Sequence, residues 1–358
     1  MSRGAALAAP AAPGLAAVAA VGAVAAVAAV AALAAVAAVG AIGAVAALGA
    51  IAPAARADTP RQTPSAIEVD RDGAPPGRTE LGFDGGAPVD GWGATVGAGW
   101  LERPLTFTTA DGTTLPVRRR ETAVLGGALA LGDSVVFDAR VAGAHQVGAR
   151  LRPADPRPLD RFVLADLRVG ARVRVAGGPR RAMFVRGELT LPTGDDGDFA
   201  GEASWTAAWQ LAGRLVLPRG ITIAGAAGIR LRGAEVEIGD RLAGDELLGA
   251  LGVAVPIPPV RPLWCDAEQV KLTAEAAAVI GDDIGAGRSP SPVEARLGLV
   301  TRPRPGFAFG LRIARGLTDE IGAPRARLTL ELTYGPGAAA APASRSTEPA
   351  GDGPPPAE

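Results

Sequence analysis

Polar and apolar residues alternate along the segment from Arg325 to Tyr334 with a period of two. The polar positions are Arg325, Arg327, Thr329, Glu331 and Thr333, and the apolar positions are Ala326, Leu328, Leu330, Leu332 and Tyr334. Because successive side chains of a β-strand point to opposite faces, the pattern predicts a strand with one apolar and one charged face. Its length is close to the roughly 9–11 residues that a tilted transmembrane strand needs.

The same alternation recurs in twelve segments between Trp92 and Tyr334, which predicts an all-β, antiparallel up-and-down transmembrane barrel. The segments are 93–105, 119–131, 134–146, 164–175, 181–191, 203–217, 221–232, 242–255, 271–280, 293–301, 307–315 and 325–334. Segment 242–255 is the least regular, because Leu248 and Ala250 interrupt its polar face. Most connections after even-numbered segments are short and those after odd-numbered ones longer, as in outer-membrane barrels. An even strand number places both termini on the short-turn side, which is the periplasm in such barrels.

Alternation alone does not decide which face of the barrel points outward. A secreted soluble barrel or sandwich would bury the apolar face and expose the charged one to water. Twelve strands, however, enclose more volume than small side chains such as alanine and valine can fill, since the interior of about eight strands is just filled by side chains. Trp100, Trp205 and Tyr334 lie toward strand ends on the apolar face, as an interfacial girdle requires. We therefore expect the apolar face to contact lipid and the charged face to line the lumen.

The two ends of the chain differ in composition from the predicted barrel of residues 92–334. Residues 1–57 carry a long uncharged Ala/Val-rich run that closes at Ala55-Arg56-Ala57, which predicts a signal helix cleaved after Ala57. The run exceeds the ~20 residues of a membrane-spanning helix, so an uncleaved anchor helix and a start codon placed too far upstream are alternatives. Residues 58–91 are predicted to be a flexible periplasmic lead-in, and residues 335–358 a disordered Pro/Ala-rich tail.

Charge and residue usage argue against several classes of function. The formal net charge of −1 is not that of a nucleic-acid binder built on bulk positive charge. His145 is the only histidine, and the alternation places it on the apolar face of the third segment, so a Ser-His-Asp device is not expected. The single cysteine, Cys265, cannot form an internal disulfide. We predict that the protein is not an enzyme and needs no cofactor or metal.

Three short runs are similar to a known family. They are Asp166-Leu167-Arg168-Val169-Gly170-Ala171-Arg172, Leu189-Thr190-Leu191-Pro192-Thr193-Gly194 and Gly316-Leu317-Thr318-Asp319-Glu320-Ile321-Gly322-Ala323-Pro324. The runs resemble the transmembrane-barrel half of OmpA-family outer-membrane proteins, and the resemblance covers most of residues 92–334. It implies the outer membrane of a diderm bacterium. In that family a peptidoglycan-binding domain commonly follows the barrel, and the 24 residues from 335 to 358 are too few for one, so we expect no cell-wall tether.

The charged faces of the strands supply the candidate functional residues. The predicted lumen-lining residues are Asp138, Arg140, Asp166, Arg168, Arg172, Arg174, Arg186, Glu188, Arg214, Lys271, Glu275, Glu294, Arg296, Arg312, Arg325, Arg327 and Glu331. With Arg230 and Arg232 included, thirteen basic side chains face six acidic ones. A wet lumen with this excess would favour anions through its field. The alternative is that the charges pair into a network that plugs the barrel.

The predicted function is that of a porin-like passive channel for small hydrophilic solutes with a net positive lumen. The alternative is a closed structural barrel that contributes to envelope integrity, and a third reading is a secreted soluble β-barrel that binds a ligand. The expected partners are outer-membrane lipid, lipopolysaccharide and the barrel-insertion machinery, and no nucleic acid is expected.

Overall fold

The computed structural model describes residues 91–109, 112–132, 134–149, 158–178, 180–194, 199–202, 204–238, 241–257, 270–281, 291–301, 307–318 and 322–335. These residues form fifteen β-strands and one 3₁₀ turn at Pro218–Gly220. The strands are β1 (Trp92–Thr109), β2 (Gly112–Leu131), β3 (Val135–Gly148), β4 (Leu159–Leu164), β5 (Leu167–Gly177), β6 (Arg181–Leu191), β7 (Thr206–Val216), β8 (Thr222–Arg232), β9 (Val236–Ile238), β10 (Arg241–Ala243), β11 (Glu246–Pro256), β12 (Lys271–Gly281), β13 (Val293–Thr301), β14 (Phe307–Gly316) and β15 (Ala326–Tyr334).

The large sheet closes on itself as a barrel. Every neighbouring pair in it is antiparallel, β1 pairs with both β2 and β15, and β2 also pairs with β3. The strands β4 and β5 both pair with β3 and together make one position in the wall, so the ring has twelve positions. The short strands β9 and β10 form a separate hairpin in the connection between β8 and β11. The predicted twelve-strand antiparallel barrel is confirmed.

Three details of the wall differ from the prediction. The predicted eighth strand, 242–255, begins too early, because residues 241–243 belong to β10 and the wall strand β11 begins at Glu246. The predicted fourth strand, 164–175, is wrong at its start, because the wall strand begins at Leu159 and breaks at residues 165 and 166. At this break the buried carboxylate of Asp166 accepts hydrogen bonds from backbone N–H groups of the connection between β6 and β7. The last difference is that β1 and β2 extend beyond the predicted segments 93–105 and 119–131 as a long hairpin. Their pairing has register shifts after Glu102, and Arg103 has a left-handed φ of 52°. Such irregularities bend a strand, and Leu105 and Val117 in this part of the hairpin pack against Leu159, Phe199 and Ala243.

The apolar face of the wall lies outside and the charged face inside. On β3, Phe137 and Val141 are exposed, whereas Asp138 and Arg140 between them are buried. Exposed apolar side chains occur around most of the ring, among them Leu125, Val175, Leu211, Ile229, Leu297 and Leu330. Strand β12 is an exception, since residues 273–281 are buried on both of its faces. The alternation also fails at 252–254 of β11, which are all buried, and at 160–162 of β4, which are all exposed.

Aromatic side chains gather on the exterior at the short-turn rim, where the first and last strands meet. The rings of Trp92 and Tyr334 are 5.6 Å apart in an edge-on arrangement, and those of Phe307 and Tyr334 are 4.8 Å apart. Trp205 and Trp209 are about half exposed on the outside of the β6–β7 hairpin. Tyr334 and Trp205 thus occupy positions that suit an interfacial girdle, and Trp92 and Phe307 extend the set.

Among the described residues, no helix has the length and apolar character required to cross a membrane. The predicted signal helix (1–57), almost all of the lead-in (58–91) and almost all of the tail (335–358) lie outside the described residues, as does Cys265.

Candidate functional site

Three arginines converge on Glu188 inside the barrel, in its long-loop half. Its carboxylate lies 2.9 Å from Arg140, 2.7 Å from Arg186 and 3.9 Å from Arg168. Strand register explains the meeting, because Gly170 of β5 pairs with Asp138 on one side and with Glu188 on the other. A Cβ at Gly170 would come within 2.9 Å of the Asp138 carboxylate, so the glycine leaves room for the two acidic groups. Arg186 also lies 3.5 Å from Asp138.

A second set of ion pairs lies on β12 to β15. Glu294 is fully buried and lies 2.6 Å from Arg296 and 3.0 Å from Arg327. Arg312 lies 3.0 Å from Glu331 and 3.5 Å from Glu275. All of these side chains are buried, and the pairs lie within β13, between the neighbours β14 and β15, or across one intervening strand, so each charge has an opposite charge within reach. This pairing lowers the cost of placing charges inside the barrel.

A third set lies toward the long-loop rim and includes two acidic residues that sequence reasoning missed. Arg232 lies 2.6 Å from Glu202 and 2.8 Å from Glu246, and Arg230 lies 2.8 Å from Glu246. Glu246 shares the inner face of β11 with Leu248, and that apolar residue hid the alternation that would have found it. Glu202 lies in a connection, where alternation gives no signal.

The described residues of the connection between β6 and β7, which are 192–194, 199–202 and 204–205, contact the inner side of the wall. Asp166 accepts hydrogen bonds from the backbone N–H groups of Gly194, at 2.8 Å, and Glu202, at 2.6 Å. Gly194 and Gly201 permit this approach, since a Cβ on either would meet neighbouring atoms at 2.7 to 2.8 Å. Ala200 packs against Ala144, an inner-face residue of β3, and Val163 of β4. The predicted lumen residue Asp166 is thus an anchor for this connection.

An apolar cluster, which we call the mouth cap, lies at the long-loop end of the barrel. It consists of Leu105, Val117, Leu159, Phe199 and Ala243, and so joins the extended β1–β2 hairpin to β4, the β6–β7 connection and β10.

The mouth cap is tied to the wall through buried Arg120. This side chain donates hydrogen bonds to Gln146 and to the carbonyl oxygen of Phe199, at 2.9 and 2.7 Å. Neither the cap nor its tie is visible in the alternation of the strands.

A cavity of ≈ 70 Å³ lies against the arginines around Glu188 and has two unlike walls. The charged wall carries Arg140, Arg168, Arg186 and Glu188 on β3, β5 and β6, whereas Arg230 and Arg296 flank the apolar wall from β8 and β13. The apolar wall carries Ala208, Leu248, Ala250, Ala277 and Val279, which form one packed cluster on the inner faces of β7, β11 and β12. Since one water molecule needs about 10–15 Å³ of such volume, the cavity has room for several.

The remaining predicted residues lie away from this cavity. Arg172 and Arg214 stand 5.6 and 6.0 Å from the centre of the buried Phe184 ring, within range of cation–π contacts. Arg174 and Lys271 lie near the short-turn rim, where Lys271 donates to the carbonyl oxygen of Gly220 at 3.3 Å.

Two further side chains lie where the barrel meets its surroundings. Arg325 precedes β15 at the long-loop rim, where its side chain is 60% exposed and lies 3.9 Å from Glu102. His145 lies 3.1 Å from Asp160 with both side chains well exposed. No group of histidine, cysteine, aspartate and glutamate within the described part of the chain could hold a metal ion.

The fold is shared with a known outer-membrane channel. The chain is similar to an outer-membrane channel from Pseudomonas putida F1, with a TM-score of 0.53 and 14% identity over 72% of this chain and 99% of the other. It also matches the KdgM porin (TM-score 0.41, 8% identity, 67% of this chain and 98% of the porin) and the NanC porin (0.43, 6%, 68% and 98%). At these identities the likeness concerns the fold.

No family model matches the chain. A search of curated proteins also finds no match. The resemblance to OmpA-family barrels therefore stays a prediction, and the class that the fold defines is the closed barrel of outer-membrane channels.

Proposed function

We propose that this protein is a passive outer-membrane channel for small hydrophilic solutes, with an excess of arginine along its lumen. The observation that carries the proposal is the closed twelve-strand ring whose exposed exterior is apolar and whose interior is lined by ionised side chains around a cavity. Such an apolar exterior is suited to contact with lipid, and such a charged interior is suited to contact with water. The Pseudomonas putida F1 protein that shares the fold is an outer-membrane channel, which supports the same function.

The remaining parts of the proposal rest on the same arrangement. Outer-membrane lipid and lipopolysaccharide surround the apolar belt, and the barrel-insertion machinery of a diderm bacterium places the chain in that membrane. Strand β1 begins and β15 ends at the short-turn rim, which supports periplasmic termini. Kinship with the OmpA family belongs to the proposal and rests on the three sequence runs quoted above.

Solute flux into liposomes tests the proposal. Refolded protein is inserted into liposomes, and osmotic swelling is followed in arabinose, glucose and raffinose. We expect swelling whose rate falls as the sugar grows, because a fixed lumen sieves by size. Liposomes with heat-unfolded protein are the control. Folded barrels that give no more swelling than this control would contradict the channel.

A closed structural barrel is the second candidate, and the mouth cap is the observation that favours it. The cap, the anchored β6–β7 connection and the ion pairs of Arg232 together occupy the long-loop end of the lumen. A barrel plugged in this way would strengthen the envelope and pass no solute. The swelling assay separates the two candidates directly.

Anion preference is expected to weaken when Arg168 is replaced by glutamine. This guanidinium approaches Glu188 only at 3.9 Å, so its charge is incompletely compensated by the nearest carboxylate. The reversal potential of the channel in a KCl gradient should therefore move toward the cation side. Arg119→Gln, on an exposed exterior ion pair, is the matched control and should leave the potential unchanged. Equal potentials for wild type and Arg168→Gln would remove the argument for a positive lumen.

The exterior belt gives a separate prediction about stability. Leu330 lies on the outer face near the middle of β15 and is 40% exposed. The variant Leu330→Arg should lose about 2–4 kcal/mol of unfolding free energy in lipid vesicles, because a cation then faces hydrocarbon. Leu330→Ala is the control and should lose less. Urea unfolding of the inserted barrel measures both, and equal losses would mean that lipid does not cover this face.

A further inference from the structure

The cavity beside Glu188 is amphipathic, and this feature goes beyond a simple excess of positive charge. In the twelve-position ring β3 stands opposite β12, so Arg140 and its neighbours face Ala277 and Val279 across the cavity. On the neighbouring strand β11, Leu248 packs against Ala277 and Val279 and extends the apolar wall. Buried apolar side chains beside ionised ones inside a wet barrel require an explanation of their own.

The charged wall has hydrogen-bonding capacity that its own carboxylates do not use. Arg168 makes no contact with Glu188 shorter than 3.9 Å. The Nε of Arg186 is buried, and the described residues provide it with no hydrogen-bond partner. Arg140, Arg168 and Arg186 all approach the single carboxylate of Glu188, and Arg186 also lies 3.5 Å from Asp138. Guanidinium groups bind carboxylates well because their planar donors match the two oxygens.

The apolar wall favours the hydrocarbon part of a ligand over a charged group. Leu248, Ala277 and Val279 are all less than a tenth exposed and carry no polar side-chain atom. An inorganic anion gains nothing from these residues and loses hydration beside them. A short hydrocarbon chain gains from contact with them in proportion to the area it buries. The size of the cavity, ≈ 70 Å³, favours a ligand of several heavy atoms over a long one.

We propose that the cavity is a binding site for a short-chain monocarboxylate, with the carboxylate on Arg168 and Arg186 and the hydrocarbon chain on Leu248, Ala277 and Val279. The inference deepens the proposed channel function, because a site of this kind in the long-loop half of the lumen would favour passage of such solutes over equally small sugars. The site also stands on its own as a binding property.

Saturation-transfer NMR on the refolded barrel in detergent micelles tests this site without requiring conduction. The ligands are acetate, butyrate and 1-butanol, with empty micelles as background. Butyrate should bind about tenfold more tightly than acetate, the gain expected for two buried methylene groups. Butyrate should also bind more tightly than 1-butanol, which lacks the charge. Equal affinity for butyrate and either of the other ligands would overturn the proposal.

Matched variants assign the two walls. Val279→Thr keeps the shape of the side chain, adds a hydroxyl and should remove most of the preference for butyrate over acetate. Val136→Thr makes the same change in a separate buried cluster of the inner face and should leave it intact. Arg168→Gln should weaken binding of both acids and not of the alcohol. Equal effects of the two valine variants would place the ligand elsewhere and overturn the assignment.

Comparison with liposome swelling separates the two proposals. A barrel that admits sugars and shows no preference for butyrate contradicts the binding site and leaves the channel standing. A barrel that binds butyrate as described and admits no solute contradicts the channel and leaves the binding site standing.

Discussion

Replacing Glu294 by glutamine is expected to lower the unfolding free energy of the barrel by about 3–5 kcal/mol. The side chain of Glu294 is fully buried, and its carboxylate lies within 3.0 Å of both Arg296 and Arg327. Glutamine has nearly the same shape, so the loss comes from charge and not from a cavity. Two buried guanidinium groups lose their shared anion, and the cost of keeping them from water is no longer offset.

The exterior pair of Arg119 and Glu121 provides the control for this result. Its two charges lie 3.3 Å apart, but both side chains are about half exposed. Glu121→Gln should therefore change stability by only about 0–1 kcal/mol. Both variants are measured by urea unfolding in the same lipid vesicles. Equal effects would mean that water reaches Glu294 freely, contrary to the packing described above.

Replacing Asp166 by alanine is expected to open the long-loop mouth of the barrel. The variant removes the acceptor of two backbone hydrogen bonds that hold the β6–β7 connection inside. Without these hydrogen bonds Ala200 and Glu202 are held less firmly against the wall. They can then move out of the mouth, which widens the entrance for solute. Conductance of single barrels in planar bilayers should increase several-fold, with larger current fluctuations as the connection moves.

Asp160→Ala makes the same change at an exposed aspartate of β4. The side chain of Asp160 is 69% exposed and lies beside His145 on the outside of the wall. Conductance of this variant should equal that of the wild type. If Asp166→Ala also leaves conductance unchanged, the β6–β7 connection does not limit entry, and the constriction must lie at the ion pairs around Glu188.

The wall of the barrel was predictable from sequence because each strand carries its own two-residue period. Segments such as 181–191 and 293–301 agree with β6 and β13 residue for residue. The period also puts the charged side chains on the inner face. Arg140 therefore meets Glu188 inside the barrel, and Arg327 meets Glu294. A local pattern is sufficient here, since strand geometry alone sets the direction of each side chain.

The mouth of the barrel was not predictable in this way. The contacts of Asp166 with Gly194 and Glu202, and of Arg120 with Phe199, join residues far apart in sequence through backbone groups that no pattern marks. The apolar wall of the cavity is an intermediate case. The sequence shows Leu248 and Ala250 only as apolar residues at positions where the alternation predicts polar ones. The structure adds that they pack against Ala277 and Val279 of the neighbouring β12.

Single-barrel recording in a planar bilayer under a KCl gradient tests the central claim most directly. Protein from a preparation shown to be folded by its heat-modifiable mobility is added to one side of the bilayer. The account predicts discrete conductance steps with a reversal potential on the anion side. Insertion of folded barrels without any steps would contradict it and leave a closed structural barrel in its place.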